Sequence, residues 1–303
     1  NAMLKISVVL CTYNGEKYIR EQIDSILEQS GNFDLDLWVR DDGSKDSTQQ
    51  ILQEYAQQRK LHWYTGENLG AAHSFIDLVR KCKGYDYYAF ADQDDYWMTN
   101  KIQMGVNSLC KLNNSIPELY FANAELVESN LEPLGRNVYV SMPRKDFETL
   151  CCAGGYLGCT MIFNAELAKM IQNKPMPEKM FMHDFYVAVL CSALGGGIVY
   201  DEKSYMKYRQ HGNNVIGVAK GTVFSRLKEI SSKNRIGIAE QAYSLLLLYR
   251  IDLDNKQEKW LEKISNYKKT VFSQMMLAFS TRTHYMNMNM GIKVRLSILL
   301  GNR

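Results

Sequence analysis

Short apolar runs alternate with amphipathic stretches along the first part of the chain. Residues 5–11 form a β-branched apolar run, the pattern of a buried strand, and a polar loop follows at Thr12-Tyr13-Asn14-Gly15-Glu16. Residues 17–29 then set Ile19, Ile23, Ile26 and Leu27 at helical spacing. The unit repeats twice, with strand 36–39, a loop at 40–44 and helix 44–58, then strand 61–64, a loop through Asn68 and Gly70 and helix 71–81. Residues 87–91, aromatic and apolar, read as a fourth strand. Three strand–loop–helix units before a further strand predict a parallel, doubly wound sheet whose polar strand ends collect on one edge.

Beyond that point the spacing predicts a helix over 101–112, a strand over 119–127 and a turn or hairpin at 131–134. A strand at 160–164, a helix over 165–171, a helix opening at His183, and strands at 198–200 and 204–209 complete the pattern. Glycines at 154, 155 and 158 imply close approach of the backbone to a ligand or a neighbouring strand. After Gly221 the pattern is helical, which divides the chain into an α/β domain over 3–220 and a helical, basic extension over 221–303.

Composition adds limits. With 303 residues, 46% hydrophobic and 23% charged, the chain is of ordinary globular type. No apolar run approaches the roughly 18–20 residues of a membrane helix. The seven cysteines are odd in number, lack a Cys-x-x-Cys pair and have apolar neighbours, so they read as buried, reduced thiols of a cytosolic protein. Asn1 and Ala2 precede Met3 and read as an expression remnant, with no secretory leader pattern after them. The formal charge of +3 hides an asymmetry: residues 220–303 carry 15 Lys/Arg and 6 Asp/Glu, a net +9, which leaves −6 for the rest. A basic tail suits an anionic surface, whether membrane headgroups, nucleic acid or another subunit, and also suits a solvated helical face.

The chemistry concentrates where the fourth strand ends, at Asp92-Gln93-Asp94-Asp95. Three carboxylates at the end of a core strand repel one another. A hard divalent cation would give a reason to place them there, and strand ends of α/β sheets are where ligands bind. Neither glycine-rich phosphate loop, Gly-x-Gly-x-x-Gly or Gly-x-x-x-x-Gly-Lys-Ser/Thr, is present, so any nucleotide is held by other means.

Five motifs in order carry a resemblance: residues 8–15, ending in Thr12-Tyr13-Asn14-Gly15; Asp41-Asp42-Gly43-Ser44 with Asp46 and Thr48; Asn68-Leu69-Gly70; Asp92-Gln93-Asp94-Asp95; and His183-Asp184 with residues 208–215 around His211. Over residues 4–217 the chain resembles the family 2 glycosyltransferases of GT-A fold, and its later motifs look like the rhamnosyltransferase-like branch. The resemblance implies a doubly wound, mixed but mostly parallel α/β sheet followed by the C-terminal helical extension. It also implies an inverting transfer of a sugar, rhamnose on the branch resemblance, from a UDP- or dTDP-sugar donor to a hydroxyl of a glycan or lipid-linked acceptor in cell-surface polysaccharide synthesis.

By the same resemblance Thr12, Asn14 and Glu16 line the nucleotide pocket, and Asp41 or Asp42 accepts the base N–H, which suits uracil or thymine. Asn68 and Gly70 either touch the ligand or shape the loop, and Ser44 or Asp46 would cap the next helix. Asp92 faces the ribose with Gln93 beside it, Asp94 and His211 hold Mn²⁺ or Mg²⁺, and Asp95 serves only the backbone. Asp184 is the general base, with an N-cap as its plain alternative, while Arg209 or Gln210 touches the diphosphate. Tyr96 and Trp97 stack on a sugar ring or join the core. The protein is expected in the cytoplasm, peripheral at the inner membrane face or dimeric through its C-terminal helices, with no nucleic acid bound. A nucleotidyltransferase, a phosphohydrolase using Asp92 and Asp94, and a non-catalytic sugar-nucleotide scaffold are the competing readings.

Overall fold

The computed structural model describes residues 3–210 and 236–302. Among them nine strands form one sheet: β1 (Leu4–Thr12), β2 (Phe33–Asp41), β3 (His62–Thr65), β4 (Tyr87–Ala91), β5 (Tyr96–Trp97), β6 (Glu118–Val127), β7 (Pro133–Asn137), β8 (Ile162–Asn164) and β9 (Gly197–Arg209). Their order is β3-β2-β1-β4-β8-β6-β9-β5, with β7 also paired to β6. β1 is parallel to β2 and β4, and β2 to β3, so four carboxyl ends share one edge. β8 runs antiparallel between β4 and β6, while β6 and β9 are parallel. Both faces of the sheet are covered, which is why β1 reads as a continuous apolar run rather than an alternating one.

Helices α1 (Ile19–Leu27), α2 (Thr48–Gln57) and α4 (Lys101–Leu109) bury Ile23, Leu52 and Ile102 on one face. On the other face lie α3 (Gly70–Lys81), α5 (Phe147–Ala153), α6 (Ala165–Gln172) and α7 (His183–Ala193). Helix α7 is buried almost all round, because a second layer covers it. That layer consists of α8 (Ile238–Tyr249), α9 (Asn255–Ser265), α10 (Val271–Ala278) and α11 (Met288–Leu299), whose Leu245, Trp260, Leu277 and Ile298 join the same core as Phe90 and Phe185.

Several expectations change in detail. The two late strand candidates are one strand, β9, because pairing with β6 runs to Asp201 and resumes at Ser204, the register shift between Ala122 and Asn123 leaving Glu202 and Lys203 without a partner on β6. The stretch expected as a strand from residue 160 begins as a 3-10 turn, Gly158–Thr160, and only Ile162–Asn164 pairs. Helix α5 was not expected; Asp146 caps it by accepting from the Thr149 amide at 3.2 Å. Trp97 is buried in the core, its two-residue strand pairing with Met206 and Lys207, so it is not a sugar-stacking surface. No disulfide links the cysteines, and Cys110 is exposed rather than buried. No helix among the described residues is long and apolar enough to cross a membrane.

Candidate active site

The shared strand edge opens into a cavity of about 750 Å³. Of the residues expected in a site, Thr12, Asn14, Asp42, Asn68, Asp92, Gln93, Asp94 and Asp184 line it. Glu16 and Asp41 do not appear in its wall, and His211 lies outside the described residues.

Local chemistry explains these positions. Gln93 ties the end of β4 to the end of β1: its Oε1 accepts from Thr12 Oγ1 at 2.6 Å and from the Tyr13 amide at 2.9 Å. Asn14 has φ 48°, a left-handed conformation that asparagine tolerates, and its Oδ1 accepts from the Lys45 amide at 2.8 Å. Glu16 is exposed and turned toward α2, where its Oε2 accepts from the Ser47 amide at 2.9 Å. Asp46 Oδ1 accepts from the Thr48 amide at 3.0 Å, whereas Ser44 Oγ accepts from Asn14 and caps no helix.

The two aspartates after β2 have separate tasks. Asp41 is fully buried and folds its own turn, its Oδ2 accepting from the Ser44 amide at 3.1 Å, Gln49 Nε2 at 2.8 Å and Thr65 Oγ1 at 3.0 Å. Asp42 faces the cavity and is ion-paired with buried Arg40. It also accepts from the Leu69 and Gly70 amides, each at 2.9 Å, and from Ser74 Oγ at 2.8 Å. Burial raises its carboxyl, but these donors and Arg40 outweigh that and hold it below the usual range. Arg40 also reaches Asp77 at 3.1 Å and the Glu67 carbonyl at 2.9 Å, fixing the loop that carries Asn68. Asn68 Oδ1 takes the Gly70 amide at 3.2 Å while the residue edges the cavity, so loop geometry and cavity wall are combined.

The acidic motif is a crowded anionic centre. Burial, then the charges of Asp94 and Asp184, push the Asp92 carboxyl up to about 7. Asp95 is fully buried and is pushed well above its ordinary value by burial and by Asp94 and Asp92. Its Oδ1 accepts from the Arg209 backbone amide at 3.3 Å, and its Oδ2 has no hydrogen-bond partner among the described residues. Arg209 is spent on the scaffold, with Nε on the Asp94 carbonyl at 2.7 Å and its other nitrogens on Glu21 and the Ser129 carbonyl.

Asp92, Asp95 and Cys159 each bring a ligand atom within 4.8 Å of the others. Burial keeps the Cys159 thiol protonated, so the useful donors are carboxylate oxygens, which fit Mn²⁺ or Mg²⁺. Lys101 lies beneath, 3% exposed, its Nζ 3.7 Å from the Trp97 ring centre; burial draws it down to about 8 against the pull of neighbouring acids. Neither Lys101 nor Cys159 stood out in the sequence, since each looked like an ordinary helix-start cation or core thiol.

In the wall of the same cavity, Asp184 is the second residue of α7 and not its cap. Its Oδ2 accepts from the Gly158 amide at 3.2 Å and its Oδ1 from the Phe185 amide at 2.6 Å. Burial raises this carboxyl to about 6, the two amides opposing. The glycines before it allow the contact: a Cβ on Gly155 would stand 2.6 Å from Phe185 Cα, and one on Gly158 3.0 Å from Asp184 Cβ. His183 stacks on Phe75 with centroids 3.9 Å apart, lines the cavity, and has no hydrogen-bond partner for either ring nitrogen among the described residues. Burial lowers it to about 3, so it is neutral. An anionic centre and a carboxylate of raised basicity thus face one cavity, an arrangement able to hold a phosphorylated ligand through a cation and to take a proton in the same space.

Comparison with known proteins identifies the family. The Glycosyl transferase family 2 model matches residues 7–171. The chain is 31% identical over 228 residues to the dTDP-rhamnosyl transferase RfbG of Shigella flexneri, covering 69% of this chain and 73% of RfbG. Among solved structures it is similar to S. aureus TarS 1–349 in complex with UDP-GlcNAc, with a TM-score of 0.55 and 16% identity, over 98% of this chain and 82% of that one. It is also similar to the mannosyltransferase PcManGT from Pyrobaculum calidifontis in complex with GDP-Man and Mn²⁺, with a TM-score of 0.55 and 15% identity, over 98% and 74%. The chain therefore belongs to glycosyl transferase family 2 and has the GT-A fold.

Proposed function

We propose that the protein transfers a sugar, with inversion, from a nucleoside diphosphate sugar to an acceptor hydroxyl, using Asp184 as general base. The observation that carries this reading is the placement of Asp184, raised to about 6, in the wall of the same cavity as Asp92 and Asp94. A carboxylate with that basicity is ionised at neutral pH and still able to take a proton. In the proposed step the acceptor hydroxyl gives its proton to Asp184 as its oxygen bonds to the anomeric carbon. The bond from that carbon to the diphosphate oxygen breaks, and its electron pair leaves with the diphosphate. Attack from the side opposite the leaving group inverts the centre.

Asp94 would hold Mn²⁺ or Mg²⁺, with His211 as a further ligand and Asp92 toward the ribose on the resemblance alone, and the neighbouring Asp92 and Asp95 carboxylates are close enough together to add an oxygen to the cation. When bound, the cation neutralises charge on the departing diphosphate. Thr12, Asn14, Asp42 and Asn68 line the part of the cavity assigned to the nucleoside, with Gln93 joining the two strand ends. The likeness to RfbG favours dTDP-rhamnose as donor, and a glycan or lipid-linked acceptor follows from the family resemblance alone. Residues 221–303 form an extension to the catalytic part at 3–220 in this reading.

The test is incubation of purified protein with Mn²⁺ and a panel of dTDP- and UDP-sugars, dTDP-rhamnose included, with detection of the released nucleoside diphosphate. Release from one donor class supports the proposal. Hydrolysis of simple phosphate esters with no turnover of any sugar nucleotide overturns it in favour of a phosphohydrolase.

A further inference from the structure

We infer that the helix pair α10 and α11 is a docking face for an anionic lipid surface. The inference rests on these helices alone and stands apart from the reaction proposed above. Residues 267–303 contain six Lys/Arg and no Asp or Glu. The two helices pack on each other, and the middle of α10 meets the end of α11, where a Cβ on Gly301 would lie 3.2 Å from Gln274 Nε2. Their inner faces are fixed: Leu277, Ala278, Val294 and Ile298 are buried in the core. The outward faces are therefore held in place, and they are apolar. Helix α11 exposes a row at every fourth position, Met288, Ile292, Leu296 and Leu300, with Met288 at 79%. Helix α10 exposes Phe272, at 72%, followed by Met275, Met276 and Phe279.

Large exposed apolar side chains on adjoining helices mark an interaction site. Charge decides which one. Lys269 and Lys293 are exposed beside these rows, with no acid in the segment to balance them. A face of apolar rows flanked by cations matches the boundary of an anionic bilayer, where acyl chains take the Met, Ile, Leu and Phe side chains and headgroups take the lysines. A second copy would bring cation against cation, and lysine is depleted at protein interfaces. Nucleic acid would use the lysines but leave the aliphatic rows in water.

The test is co-flotation of the full chain with vesicles of phosphatidylcholine alone or with about one third phosphatidylglycerol, which supplies the negative surface potential. Binding to the anionic vesicles that falls steeply with salt is expected. Phe272→Gln with Ile292→Gln should remove it. Lys269→Gln and Lys293→Gln should each weaken it about fivefold. Both sets are at exposed positions, so the thermal unfolding midpoint should hold. Absence of binding by the parent chain, or equal binding to neutral vesicles, overturns the inference. So does concentration-dependent dimerisation that the apolar pair abolishes while vesicle binding is absent, which would identify a second copy as the occupant.

Discussion

The Gly158 amide donates to Asp184 Oδ2 at 3.2 Å, across 26 residues of chain. This bond turns the Asp184 carboxylate toward the 3-10 turn, and the lack of a side chain on Gly158 leaves room for it. A Cβ there would sit 2.9 Å from His183 Nε2 and 3.0 Å from Asp184 Cβ. Gly158→Ala should therefore displace both side chains and lower kcat about tenfold to a hundredfold, a displacement effect rather than loss of the base. Steady-state kinetics together with an unchanged far-UV spectrum would check it; turnover equal to the parent would show that the carboxylate is not held in this way.

Asp184→Asn should cost about 10²–10⁴ in turnover while leaving nucleotide-sugar binding in place. The parent should also show a pH limb. Asp184 works as a carboxylate and its value is raised to about 6, so activity should climb between pH 5 and 7. The variant's residual rate should lack that limb. Rate–pH profiles of the two proteins, with donor binding by calorimetry, measure both points.

Asp94 and Asp95 should separate by readout. Asp94→Ala should abolish the dependence of turnover on added Mn²⁺ with little change in stability, since Asp94 lines the cavity. Asp95→Ala leaves the buried Arg209 amide without its acceptor and should cost about 1–3 kcal/mol of stability. Metal titration of activity and thermal unfolding distinguish the pair. Equal losses of stability would mean that the two acids share one role.

Arg40→Met leaves Asp42 buried without its guanidinium, although the Leu69, Gly70 and Ser74 donors remain. Breaking a buried pair in this way costs about 3–5 kcal/mol. The loop bearing Asn68 should loosen with it, because Arg40 also holds the Glu67 carbonyl. Denaturant unfolding gives the first quantity and the Kd for nucleoside diphosphate the second, with weaker binding expected.

His183 gives a stability prediction with a definite sign. Its folded value, about 3, lies below the ordinary 6.5, so the unfolded chain binds the proton more readily in between. Its contribution is fully present above pH 6.5 and is lost as pH falls. By pH 5 that loss is about 2 kcal/mol. His183→Phe should flatten this part of the acid profile, seen as a smaller drop in Tm between pH 7 and 5.

Much of the fold was legible because its parts are local. β1, β2 and β4 are buried on both faces and so advertise themselves as apolar runs, and the polar loops after them follow from where ligands meet parallel sheets. Helix α5 was not legible, since its seven residues are too few to show a period. The division of labour between Asp41 and Asp42 was hidden too: adjacent, identical side chains point to different surroundings, one into a turn and the other into a cavity.

The strand–loop–helix order, the family motifs and the basic, acid-free C-terminal segment could be read from the chain alone. These are properties of residue type and spacing. Long-range packing sets which carboxylates face the cavity, that Arg209 braces the acidic loop, that Glu16 turns toward α2, and which apolar rows of α10 and α11 remain outside the core. The physical reason is that burial, electrostatic crowding and donor geometry depend on neighbours distant in the chain. The acidic motif meets β9 across 114 residues, and no local pattern records such a partner.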